Sequence, residues 1–248
     1  MNALILAAGY GRRMGGITRV TAKPLLPVNG KPVIQHLAEQ LFATGAIRRL
    51  TVITNAFYHA QFESWIASLN RNDTVLLNDG STDNDNRLGA IADLKLATEL
   101  DPPQGPLLVM AGDNIYTFPL ARFIAFQQGK GTDCVVARHL TDIEKLRKTG
   151  VASLDENGRI VDFEEKPENP KSEYGVPCMY ILTEASLSLI GEYLESFGND
   201  RARSDAPGHF IAWLCRRVPV HAMRFDEPVH CIGDKESYER AQRAFRGA

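Results

Sequence analysis

Across its first 111 residues the chain alternates short apolar runs with stretches of helical period, and no other feature constrains its fold as strongly. Residues 2–8 form a short apolar run that stops at Gly9, the look of a parallel strand buried on both faces. A long loop follows. Pro32 then opens a helix, because proline suits the first helical turn, and Val33, Ile34, Leu37, Ala38, Leu41 and Phe42 share one face until Gly45 stops it. Residues 50–54 are the next strand. Phe62, Trp65, Ile66 and Leu69 mark a second amphipathic helix, 75–77 a third strand, 88–98 a helix and 107–111 a fourth strand. This β-α-β-α order predicts a doubly wound, mostly parallel α/β sheet with helices on both faces.

After about residue 133 the pattern becomes mixed and more antiparallel. Residues 134–138 and 151–154 read as strands, and Asp155-Glu-Asn-Gly158 as a hairpin turn into 160–163. Strands at 179–182 and 218–225 are separated by helices near 184–196 and 208–216, and a last helix starts near Asp234. No composition break marks a linker, so one domain spanning 1–248 is expected, with halves 1–132 and 133–248. The absence of a hexapeptide repeat argues against an appended β-helix.

Composition excludes several classes of function. Twenty-eight Lys and Arg against 30 Asp and Glu leave a net charge of −2, which excludes a globally basic nucleic-acid binder. Apolar runs fall short of the roughly 18 residues a membrane span needs. The run at residues 3–8 is too short for a signal-peptide core, so a cytoplasmic protein with no membrane partner is expected. Cys134, Cys178, Cys215 and Cys231 form no Cys-x-x-Cys pair and read as reduced, mostly buried thiols. None of the six histidines makes an i, i+4 metal pair, and Trp65 and Trp213 lie at apolar helical positions that suit a core.

The loop after the first strand carries the chemical signal. The first 38 residues contain Arg12, Arg13, Arg19, Lys23 and Lys31 and no acid. Gly9, Gly11, Gly15 and Gly16 let the backbone adopt positive φ and approach a ligand closely. Glycines plus cations just past a strand favour a polyphosphate ligand over a merely solvated loop. Two familiar phosphate motifs fail. Gly9-Tyr-Gly11-Arg-Arg-Met14 lacks the third glycine and distal acid of a dinucleotide fold, and Ile17-Thr18 stands where a P-loop requires Lys-Ser/Thr.

Leu-Ile-Leu-Ala-Ala-Gly-Tyr-Gly-Arg-Arg-Met (4–14), then Lys23-Pro24-Leu-Leu-Pro27-Val and Gly30-Lys-Pro32, resembles the N-terminus of sugar-1-phosphate nucleotidyltransferases. The resemblance continues through Ala111-Gly112-Asp113-Asn114, Phe163-Glu-Glu-Lys166-Pro167 and Ile232-Gly233, and is closest to single-domain, glucose-1-phosphate thymidylyltransferase-like members. It implies transfer of a nucleoside monophosphate from a nucleoside triphosphate to a sugar-1-phosphate, with release of pyrophosphate and use of Mg²⁺. It further implies catalytic roles for Arg13, Lys23 and Asp113, the last as a metal ligand. Leu6, Ala8, Gly9, Gly11, Arg12, Gly80 and Gly89 would bind the nucleotide, with Gly89 against the base and Asp79 or Gly80 nearby. Glu165 and Lys166 would hold the sugar and its phosphate. Homo-oligomerisation is plausible by the same resemblance.

The chain departs from the family pattern at several places. Arg12 replaces a small hydroxyl residue, Gly16 a proline, and Pro177-Cys178 a Thr-Gly pair that faces the sugar. Cys231 stands where the second metal aspartate is expected, and a thiol is a soft, largely protonated ligand poorly matched to Mg²⁺. Asp234 is either a substitute ligand or the cap of the last helix. Two other functions stay open: a cytidylyltransferase-like enzyme with a non-sugar phosphate acceptor, and a nucleotide-sugar-binding regulatory protein that has lost turnover. The segment Asn78–Asn86 lacks the ligand spacing of a calcium loop and is read as a polar turn.

Overall fold

The computed structural model describes residues 1–197 and 200–245. Four parallel strands, β1 (Asn2–Leu6), β2 (Arg49–Thr54), β3 (Thr74–Asn78) and β4 (Leu107–Ala111), form its first half. β5 (Asp133–His139), β6 (Gly150–Leu154), β7 (Ile160–Glu165), β8 (Tyr174–Val176), β9 (Met179–Leu182) and β10 (Val220–Phe225) complete a ten-stranded sheet. Its order is β7-β6-β8-β5-β9-β4-β1-β2-β3, with β10 parallel to β5. β9 enters antiparallel between β4 and β5, and from there to β7 the ladder stays antiparallel, as the change of pattern after residue 133 predicts.

The helices are α1 (Val33–Ala43), α2 (His59–Ser68), α3 (Ala90–Leu100), α4 (Leu120–Lys130) and α5 (Ile143–Leu146). They continue as α6 (Glu184–Ser188), α7 (Ile190–Phe197), α8 (Arg201–Asp205), α9 (Pro207–Leu214) and α10 (Lys235–Ala244). Alternation along β1 divides them between two cores. Ala3, Ile5 and Ala7 join Leu37 and Leu41 of α1, Phe62 and Trp65 of α2, and Phe123 of α4. Leu4 joins Ile91 and Leu94 of α3, Tyr193 of α7, and Phe210 and Trp213 of α9. Both tryptophans are therefore core residues. Each large apolar side chain so buried contributes about 1.5–3 kcal/mol, which keeps the sheet rigid and fixes where its strand ends lie.

A third, smaller cluster bears on the site. Met14, Leu26, Val28, Ile115, Ile232 and Ala241 pack together, and Tyr238 of α10 donates its hydroxyl to the Pro27 carbonyl at 2.8 Å. The cationic segment is thereby clamped between the sheet and the last helix.

Several local expectations change. Residues Arg12–Arg19 are 3₁₀-helical rather than an open loop, with a break at Gly15, and of the four glycines there only Gly11 and Gly15 have positive φ. The helix expected at 88–98 starts at Ala90, because Gly89 (φ 96°, ψ 151°) cannot continue it. The helix expected over 184–196 breaks at Leu189 into α6 and α7. Pro207 starts α9 one residue early, and Pro219, with no N–H for the ladder, delays β10 to Val220. Two short pairs went unpredicted: Pro27–Val28 with Lys31–Pro32, and Asn114–Tyr116 with Val229–Cys231. Only Cys134 and Cys215 are fully buried; Cys178 is half-buried and Cys231 exposed. No helix among the described residues is long and apolar enough to cross a membrane.

Candidate active site

The carboxyl ends of β1 and β4 open into a cleft, where open α/β sheets place ligands. The turn after β1 is held from below: Ala7 N donates to Ile53 O at 2.9 Å and Asn55 Nδ2 to Ala8 O at 2.8 Å. At Gly11 (φ 62°, ψ 30°) the chain turns into the 3₁₀ segment. A Cβ there would lie 2.8 Å from Thr18 Cγ2, and Thr18 Oγ1 donates to Gly11 O at 3.1 Å, closing the loop on itself. Among the described residues no side chain caps this helical start, and its first turn holds no acid, so its N–H groups suit an anion.

Lys23 begins a tight 3₁₀ turn with Pro24 at its second position, and is 9% exposed. Its ammonium forms an ion pair with Asp113. Asp113 follows β4 through Gly112, whose N–H bonds Leu6 O at 2.9 Å; a Cβ on Gly112 would crowd Ile5 and Pro24 at 3.1 and 3.2 Å. Burial pushes the Asp113 carboxyl up, but the Lys23 ammonium and then Arg13 outweigh it and hold the group below its ordinary value.

Cys231 is brought beside Asp113 by the strand pair Asn114–Tyr116 with Val229–Cys231, in which Cys231 faces Asn114, and by Ile232 N donating to Asp113 O at 3.0 Å. Although the residue is exposed, the Gly233 turn closes on its sulfur, where a Cβ on that glycine would lie 3.5 Å from Sγ. That desolvation, with the Asp113 charge, pushes the thiol up to about 11, so it is protonated at neutral pH. Asp234 is engaged elsewhere: it accepts from Ser237 N at 2.8 Å while Ser237 Oγ accepts from Asp234 N at 3.0 Å, a complete capping box on α10.

Glu165 and Lys166 lie at the end of β7. The Glu165 side chain is 8% exposed, wedged beneath α9, where a Cβ on Gly208 would sit 1.9 Å from its Oε2. Burial raises its pKa and Lys166 Nζ, 3.4 Å from Oε1, offsets this only partly. Lys166 holds a left-handed backbone (φ 49°), strain that sequences usually avoid at a lysine and that persists at functional sites. Cys178 lies between the two halves: after burial, the charges of Asp113 and Glu165 both push its thiol up.

Of the residues singled out from sequence, Leu6, Ala8, Gly9, Gly11, Lys23, Gly89 and Asp113 line the cleft together. Arg12 and Arg13 are exposed, and a Cβ on Gly233 would lie 3.9 Å from Arg13 Nη2, which puts that guanidinium next to the Cys231 loop. Gly80, Glu165, Lys166 and Asp234 lie outside the lining. Sequence reasoning missed Arg87, Asp93, Asp205 and Pro207, which do line it. Asp93 left a faint signal, a lone acid one turn from Ala90 and Ala97 on a small, apolar helix face.

Asp93 is 5% exposed and faces Asp79, and burial followed by the Asp79 charge raises its pKa to about 8. Between the ordinary carboxyl value of 3.8 and about 8 the folded chain keeps a proton that the unfolded chain has released. Folding stability from this group therefore falls as pH rises through that window and is level above it. Asp93→Asn should abolish the slope, so that melting curves between about pH 5 and about pH 8 show wild type losing Tm against the variant. Parallel curves would refute the buried proton.

With this geometry in view, the chain belongs to the nucleotidyl transferase family, whose model matches residues 2–211. Among curated relatives, it is 25% identical over 252 residues to a glucose-1-phosphate adenylyltransferase of Methylobacillus flagellatus, covering 93% of this chain and 57% of that one. A glucose-1-phosphate adenylyltransferase of Pectobacterium carotovorum is 30% identical over 209 residues, covering 77% and 48%. The chain thus spans about half the length of the curated relatives it matches. In fold, it superposes with a TM-score of 0.85 and 24% identity on a Bacillus anthracis protein provisionally described as a glucose-1-phosphate thymidylyltransferase, covering 100% of this chain and 96% of that one. A UDP-glucose pyrophosphorylase bound to UDP-glucose gives 0.81 at 21% identity, covering 99% and 98%.

Proposed function

We propose that this chain transfers a nucleoside monophosphate from a nucleoside triphosphate to a sugar-1-phosphate, giving a nucleoside-diphosphate sugar and pyrophosphate. The observation that carries this is the Lys23–Asp113 pair at the strand ends, beside an acid-free helical start and facing a second half that offers Glu165 and Lys166. The nucleotide would occupy the 1–132 half and the acceptor the 133–248 half of one domain.

An oxygen of the acceptor phosphate attacks the α-phosphorus, the bond from that phosphorus to the β-phosphate oxygen breaks, and pyrophosphate leaves with the electron pair. The attacking oxygen is already ionised, so alignment and charge neutralisation matter more than a strong base. Lys23 bridges the two anions, and Arg13, whose planar fork suits bidentate phosphate contact, stabilises the leaving pyrophosphate. Backbone N–H groups after Gly11 hold the triphosphate, and Lys166 and Glu165 hold the acceptor phosphate and sugar hydroxyls. Divalent metal use is general in the family, and Mg²⁺ would neutralise phosphate charge here. Among the described residues Asp113 is the carboxylate paired with Lys23 and would hold the ion, which suffices for a cation that commonly keeps several waters and uses one or two carboxylates.

A pyrophosphate-release screen over five nucleoside triphosphates and a panel of sugar and non-sugar phosphates tests this reading. Release dependent on a sugar-1-phosphate supports it. Release only with a non-sugar phosphate, which the altered Pro177-Cys178 segment could admit, would replace the acceptor, and nucleotide-sugar binding without release would replace catalysis by regulation.

Gly208→Ala probes the acceptor side. Alanine should favour α9 by about 1 kcal/mol, offsetting part of the packing strain. Its Cβ must nevertheless displace the Glu165 carboxylate. The expected result is a small change in Tm with an acceptor KM raised about tenfold and nucleotide KM unchanged, as for loss of one charged hydrogen bond. Unchanged acceptor KM would remove Glu165 from the site.

A further inference from the structure

Beyond the expected nearness of Asp79 or Gly80 to the nucleobase, the cleft contains a side chain with an unmet need. Asp93 lies on the first turn of α3, 5% exposed, and lines the cleft with Gly9, Gly89 and Ala90. Among the described residues no donor reaches its enclosed Oδ1. A buried polar atom without a partner is costly to enclose and calls for a role.

Its neighbours are already engaged. Asp79 accepts from Ser81 N at 2.7 Å and from Ser81 Oγ at 2.8 and 2.9 Å, and that hydroxyl in turn meets Tyr10 OH at 3.0 Å. Asp205 is held by Arg87 through two bonds of 2.9 Å. Asp93 faces Asp79 within hydrogen-bond reach, and a proton between them is the stable arrangement for two enclosed carboxyls. The lone pairs left on Asp93 can only accept.

Position then says what would donate. Asp113 follows β4 and Asp79 follows β3, three sheet intervals away in the order β4-β1-β2-β3, or about 14 Å. The Asp79–Asp93 pair is therefore displaced along the sheet from the proposed phosphate site by a distance comparable to a nucleoside. At Gly89, where a Cβ would meet Ser204 O at 2.9 Å, α8 closely covers the backbone that leads into Asp93.

We infer that Asp93, backed by Asp79, selects a nucleoside triphosphate whose base carries an exocyclic amino group. An amino N–H donates to the free carboxyl oxygen of Asp93, whereas at the equivalent ring position uracil and thymine present a carbonyl oxygen whose lone pairs such an acceptor repels. This rests on the nucleotide-binding reading above.

The test is calorimetric titration of the full chain, with Mg²⁺ and no acceptor, by matched nucleotides: CTP against UTP, and ATP and GTP against ITP, which lacks the amino group of both. At least one amino-bearing nucleotide should bind about tenfold tighter than its counterpart, and Asp93→Asn, which offers an amide N–H and carbonyl together, should shrink that ratio to within about threefold. Equal affinities within every pair would overturn the inference, as would an unchanged ratio in the variant. A carboxyl holding ribose would give that first result, since the ribose is common to each pair. Binding without discrimination overturns this inference alone, whereas no nucleotide binding at all overturns it together with the reading on which it rests.

Discussion

Lys23→Ala is expected to lower kcat/KM by about 10²-fold or more, the scale of loss when one preorganised charge aimed at a reacting oxyanion is removed. Lys23 is the counter-charge of Asp113 as well as the proposed phosphate ligand, so the same change should affect stability. The partly solvent-open Asp113 moderates that cost to about 1–2 kcal/mol, below the value for a fully enclosed pair. In wild type the depressed Asp113 pKa contributes stability above the ordinary carboxyl value, lost as pH falls through the lower, folded value. Without Lys23, burial dominates and the sign reverses, so Asp113 should favour the folded state more at acid than at neutral pH. Turnover near neutral pH, and Tm followed from about pH 3 to about pH 8, test both parts. Near-normal turnover would remove Lys23 from the phosphate site.

Asp113→Asn should be as damaging, by about 10²-fold in kcat at moderate metal, because the beside-lying thiol cannot replace it. Cys231 is protonated, with a pKa pushed up to about 11, and Asp234 is committed to its capping box. Cys231→Asp, by contrast, should supply a second hard oxygen and lower the Mg²⁺ concentration for half-maximal rate. Asp234→Ala should cost about 1 kcal/mol of stability as a lost cap and leave that concentration unmoved. Metal titrations of initial rate on the three variants decide the matter. An Asp234→Ala enzyme that needs far more metal, beside a Cys231→Asp enzyme that needs the same, would exchange the two assignments.

The parallel half was legible because its information is local. The run at residues 3–8 and the apolar face of α1 each name their own structure through period alone, and the cationic stretch with Gly11 signals phosphate before any partner is known. What escaped depends on residues far apart in the chain. Asn114–Tyr116 is a strand only because Val229–Cys231 pairs with it, and neither trio has a pattern of its own. That pairing places Cys231 beside Asp113, so the substitution was visible in the sequence while its contact was not. Asp93 was missed for a related reason: an acid on the apolar face of a helix is ordinary until the fold sets Asp79 opposite and encloses it. The hairpin at Asn29-Gly30 is different. Both residues have positive φ, and that dipeptide is a strong turn signal that sequence reasoning could have used.

The central claim is that the acceptor's own phosphate oxygen becomes the bridge of a new diphosphate. A sugar-1-phosphate whose phosphate carries a heavy oxygen isotope, incubated with the preferred nucleoside triphosphate and Mg²⁺, tests it when the products are resolved by phosphorus NMR and mass spectrometry. The account predicts that all label appears in a nucleoside-diphosphate sugar, part of it in the bridging position, and that the released pyrophosphate is unlabelled and equimolar. Label in pyrophosphate or free phosphate, or nucleotide consumed at a rate indifferent to the acceptor, would contradict it.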